Sequence, residues 1–89
     1  MDLTCHARAR MQQRGINALA LGALLDYGRV APAGGGRDIV YFDRQARLAL
    51  ERANAVAAAE AARVCKSYAI VESDGTVITV GHRYRRIPR

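Results

Sequence analysis

Apolar positions near the start of the chain recur at helical spacing. Leu3, Ala7 and Met11 repeat every four residues and mark one stripe of an amphipathic helix. Thr4 stands where an N-cap belongs and Gly15 where a left-handed C′ residue belongs, so this helix is predicted to run to about Arg14. His6, Arg10, Gln13 and Arg14 fall on a neighbouring, wetter face. Asn17 is placed to cap a second helix ending at Gly28, with Leu21, Leu24 and Leu25 turned inwards.

The pattern changes character at "RVAPAGGGRDIVYF". Val30 to Ala33 is predicted to be extended at most, because Pro32 removes a ladder donor. Gly34, Gly35 and Gly36 make a loose turn, and Asp38 to Phe42 reads as a strand. A phosphate-cradling loop leads from a strand into a helix, usually with Lys-Ser or Lys-Thr behind it. These glycines lead into a strand, so they read as a hairpin connection.

Asp43 can cap a third helix over Arg44 to Cys65. Its "ANAVAAAEAA" segment has high helix propensity but little volume to bury. Such a helix would be about 33 Å long at 1.5 Å per residue. It is predicted to lie across one face of the domain, or against a second copy of itself in a homodimer.

At the end of the chain, Asp74-Gly75 between two β-rich runs predicts a hairpin with a type I′ turn. The register then pairs Ser73 with Thr76, Val71 with Ile78, Ala69 with Val80 and Ser67 with His82. Ile70 with Thr79, Tyr68 with Gly81 and Lys66 with Arg83 share the other face. Both faces hold apolar residues, which predicts a central place in the sheet. Lys66 and Arg83 would repel unless an anion lay between them. The whole reads as one α+β domain over residues 1–89: two N-terminal helices, then an antiparallel sheet of about four strands with the long Ala-rich helix between its two hairpins.

Composition adds a partner class. The chain has 14 Lys plus Arg against 8 Asp plus Glu, a net charge of +6. All these cations are arginine except Lys66, and the closing "GHRYRRIPR" concentrates several of them around His82 and Tyr84. Arginine grips phosphate in a bidentate fork and stacks on bases, so the excess points to RNA or to an acidic protein partner. No apolar run reaches the length of a membrane span, and no signal-type segment follows Met1. Two cysteines are too few for a disulfide framework, which predicts a cytoplasmic protein with reduced thiols.

The chemistry follows from the same residues. RNA can be cut without a metal when a base takes the ribose 2′ proton, an acid supplies the leaving oxygen and cations hold the phosphate. His82 and His6 are the predicted proton carriers, with Tyr84 assisting. Arg83, Arg85, Arg86, Arg14 and Lys66 are the predicted phosphate-holding residues. The blander reading makes His82 a hydrogen-bonded strand-end residue, Tyr84 cover for the core edge and His6 a solvated helix residue. A Cys2His2 zinc site is disfavoured: Cys5 and His6 are adjacent on a helix, pointing about 100° apart, and Cys65 and His82 are isolated. No cofactor is implied.

Two stretches, "HARARMQQRGI" (His6 to Ile16) and "YAIVESDGTVITVGHR" (Tyr68 to Arg83), together resemble the start and end of a bacterial family of small domains of unknown function, the one numbered 4258. "LLDYGR" and "GGRDIVYFD" fit the same pattern, whereas the Ala-rich segment looks longer than usual. Such domains are similar in outline to RelE-like and barnase-like ribonuclease toxins. The resemblance implies a metal-independent endoribonuclease, a toxin neutralised by a cognate partner, with His6, Arg14 and His82 on the matching positions. Two further readings stand beside it: a non-catalytic nucleic-acid-binding module, and an interaction domain that docks an acidic protein.

Overall fold

The structure, a computed structural model, describes residues 2–83, so Tyr84, Arg85 and Arg86 lie outside the described residues. Helices α1 (Cys5–Arg14) and α2 (Ala18–Tyr27) begin where their caps predict. The Thr4 hydroxyl accepts from the Ala7 N–H at 3.0 Å, and Asn17 Oδ1 accepts from the Ala20 N–H at 2.8 Å. Each cap satisfies a donor the first helical turn would leave unpaired. Gly15 closes α1 in the left-handed region at φ 66°, where a side chain would be strained.

Strands β1 (Arg29–Gly34) and β2 (Arg37–Tyr41) form the first hairpin, and Gly34, Gly35 and Gly36 all take positive φ in its turn. Asp43 then caps α3 (Arg44–Ala53), accepting from the Ala46 N–H at 2.8 Å. Here the predicted single long helix is corrected. Asn54 adopts the left-handed conformation (φ 49°), its N–H returns to the Glu51 carbonyl at 3.1 Å, and a separate helix α4 (Ala58–Val64) follows. A straight run of alanines would bury little. The break turns the chain back so that Val64 and Cys65 join Leu50 in the core.

Strands β3 (Ser67–Glu72) and β4 (Val77–His82) complete an antiparallel sheet in the order β1-β2-β3-β4. The architecture is α+β. The predicted pairs Ser67–His82, Tyr68–Gly81, Ala69–Val80 and Ile70–Thr79 are all present, but Val71 pairs with Val77 because Ile78 is bulged out. The turn differs too. Gly75 alone takes positive φ, the Gly75 N–H donates to the Glu72 carbonyl, and the Glu72 N–H donates to the Thr76 carbonyl, which closes a three-residue loop. A type I′ turn would need positive φ at Asp74 as well.

The hairpin is not central as a unit: β3 is interior, and β4 is an edge strand. That edge is covered from the N-terminus. The Val77 N–H donates to the Asp2 carbonyl (2.8 Å) and the Thr4 N–H to the Val77 carbonyl (3.1 Å), a short parallel bridge, while the Thr4 hydroxyl donates to the Ile78 carbonyl (2.9 Å). Helix α1 leaves this tether and packs along β4. Burying an edge in this way blunts pairing with other chains.

Val40, Ala69 and Val80 align across the core face of the sheet, against Ala7, Leu21, Leu24, Ala46 and Leu50 from the helices. Phe42 is fully buried at the end of β2. Such a side chain contributes about 1.5–3 kcal/mol by burial. The opposite face carries the rows Ile39–Ile70–Thr79 and Tyr41–Tyr68–Gly81. Among the described residues, no helix is long and apolar enough to cross a membrane.

Candidate nucleic-acid interface

An open cleft of about 320 Å³ runs between α1 and β4, lined by His6, Arg10 and Arg14 from the helix and by Thr79, Val80, Gly81 and His82 from the strand, with Tyr68 beside them. It exists because α1 turns its Leu3, Ala7 and Met11 stripe to the core, which leaves the next stripe facing the strand edge. The parallel bridge sets the order of residues along it. His6 lies one turn after the tether, and Arg14 lies two turns further, about 12 Å along the axis. His6 and His82 therefore line one cleft from its two ends, with His82 gathered into the Arg14 group.

His82 is half-buried, and its imidazole is held below the ordinary histidine value. Burial is the largest cause, followed by the charges of Arg63, Arg14 and Lys66. Arg63 comes from the end of α4 and reaches the C-terminus of α1: a Cβ placed on Gly15 would stand 3.3 Å from its Nη2. The helix dipole favours a cation at that end. Among the described residues, no acidic residue lines the cleft. The ion pairs among the described residues, Arg29–Asp43 at 2.9 Å and Arg37–Glu72 at 3.2 Å, lie on other parts of the sheet.

Arg83 stands elsewhere. Its N–H extends the ladder to the Lys66 carbonyl at 2.7 Å, while its guanidinium lies 5.4 Å from the Tyr41 ring centroid and donates to the Phe42 carbonyl. The Arg83 guanidinium is thus engaged by the protein's own aromatic face and carbonyl. Lys66 remains exposed and acts on His82.

Arg10, Tyr68 and Thr79 in the cleft lining, and Arg63 acting on His82, were not assigned from the sequence. Arg10 falls on the predicted wet face of α1, one turn from both His6 and Arg14, and that spacing was the available signal. Arg63 was hidden in the alanine run, where only the tertiary fold brings it to Gly15. Tyr68 is signalled by its place opposite Gly81: a Cβ there would meet the Tyr68 ring and hydroxyl at 3.0–3.2 Å, so the ring lies across the glycine. Among the described residues, no cluster of three or more His, Cys, Asp or Glu could hold a metal ion. Cys65 is buried, which pushes its thiol up against the opposing influence of Arg47, and Cys5 is exposed on α1.

Comparison with protein-family models, with curated proteins and with solved structures finds no match for this chain.

Proposed function

We propose that the α1–β4 cleft binds RNA and cleaves it as a metal-independent endoribonuclease. The observation that carries the reading is the cluster of Arg14, Arg63 and Lys66 around an imidazole whose neutral form they favour, in a cleft that no acid lines among the described residues. A neutral histidine is the form that accepts a proton, and surrounding cations stabilise the charge that builds on a phosphate under attack. His82 takes the 2′ proton. The 2′ oxygen then attacks phosphorus, the bond to the 5′ oxygen breaks, and that oxygen takes up a proton from solvent, because His6 lines the other end of the cleft, about two turns of α1 from the Arg14 group that holds His82. The products are a 2′,3′-cyclic phosphate and a 5′ hydroxyl. Tyr84, Arg85 and Arg86 extend the basic end in sequence. The resemblance of His6 to Ile16 and of Tyr68 to Arg83 to the family numbered 4258 supports the same chemistry by analogy of outline.

The test is end-labelled single-stranded RNA incubated with the protein in excess EDTA. The parent chain should yield fragments ending in cyclic phosphate, and His82→Gln should lower the rate by about 10²–10⁴ while leaving RNA binding intact. Intact RNA with a salt-sensitive gel shift would reduce the reading to a binding module. RNA neither cut nor shifted would end it and favour an acidic protein partner for the same cations.

A further inference from the structure

The phosphate groups account for the arginines and leave Tyr68 unexplained. Tyr68 lies in β3, its ring crosses Gly81 of β4, and its hydroxyl end reaches the cleft wall. Tyr41 in the same row is buried and holds the Arg83 guanidinium, and Phe42 is fully buried. Tyr68 is only half-buried, and among the described residues it is the aromatic ring that lines the cleft. It packs closely on residue 81, where a Cβ would stand 3.0–3.2 Å from the ring and hydroxyl and would push the ring by a few tenths of an ångström.

We propose that Tyr68 is a nucleobase platform: the base of the nucleotide whose phosphate sits against Arg10 and Arg14 stacks on the Tyr68 ring. This rests on the RNA reading and deepens it. A flat ring held beside a positively charged groove is the combination by which proteins grip single strands, charge tracking the backbone and the ring taking the base. Gly81 supplies the bed, since the absence of a Cβ lets the ring lie close beside the groove. Stacking on a ring is tolerant of base identity, so the subsite is for single-stranded RNA.

The probes are a 2′-O-methyl uridine octamer, whose blocked nucleophile keeps the strand whole, and an abasic sugar-phosphate octamer of equal charge. Both are titrated by fluorescence anisotropy into the full chain at low salt. The base-bearing strand should bind roughly tenfold more tightly. Tyr68→Phe should keep that gap, and Tyr68→Ala and Gly81→Ala should close it. If a variant's melting curve shows it unfolded, the parent still decides: its Tyr68 ring protons should shift with the uridine strand and stay put with the abasic one. Equal, salt-dependent binding of both strands would overturn the platform and leave the RNA reading standing. A gap that survives in folded Tyr68→Ala would also overturn it. No binding of either strand would overturn both.

Discussion

The arginines of the two sides of this sheet are used in opposite ways. On the β1–β2 side each described arginine has a partner: Arg29 pairs with Asp43 and Arg37 with Glu72. Arg83, although it follows β4 directly, joins this group by lying over Tyr41 and donating to the Phe42 carbonyl. On the α1–β4 side Arg10, Arg14 and Arg63 form no ion pair among the described residues and face a histidine. The first group is spent within the fold. The second has no acidic partner among the described residues, and like charges gathered without an acid are a cost that an anionic ligand would remove.

The strongest way to break this contrast is to reverse one charge on each side. Arg14→Glu should abolish a gel shift with single-stranded RNA, whereas Arg37→Glu should leave it, since Arg37 lies against Glu72 and away from the cleft. Loss in both variants would mean that net charge alone matters. Next in size is the tether that builds the cleft. Thr4→Ala removes the cap of α1 and the bond to the Ile78 carbonyl together, and should cost about 1–2 kcal/mol in denaturant unfolding.

The electrostatic side can be sharpened by pH. Folding lowers the His82 value, so the unfolded chain holds the proton more readily, and stability rises with pH up to the ordinary histidine range near 6.5. His82→Gln should flatten that slope in pH-dependent thermal melts. Arg63→Gln removes a neighbouring cation and should move the His82 titration upward by NMR, as should a bound polyanion. An unmoved titration would show that the Arg63 charge does not reach the imidazole. The smallest effect belongs to the region remote from the cleft. Asn54→Gly relieves a left-handed asparagine between α3 and α4 and should stabilise the fold by a few tenths of a kcal/mol, with RNA binding unchanged.

Local chemistry made much of the fold legible. Thr4, Asn17 and Asp43 are short polar residues just before apolar periodicity, and each caps the helix it announces. Most of the β3–β4 register was equally readable because it follows from apolar alternation. The turn was not, since Asp-Gly serves both a two-residue loop and a three-residue loop with glycine in the left-handed position, and only the bulge at Ile78 reconciles the latter with the register. Propensity misled over the alanine run: it favours helix at every position, but burial decides where the helix must turn. The site was half legible. His6, Arg14 and His82 meet in one cleft, whereas Arg63 arrives from a distant helix and Arg83 is diverted by Tyr41, neither of which a linear pattern encodes.

The central claim is that the unpaired arginines, and not the paired ones, meet the phosphates. The salt dependence of affinity for a non-cleavable single strand reads this directly, because its logarithmic slope counts the contacts made. Arg10/Arg14/Arg63→Gln should lower the slope by about two, at roughly 0.7 per phosphate contact, while Arg29/Arg37→Gln should leave it unchanged. Equal losses from the two sets, or none from the cleft set, would contradict the account.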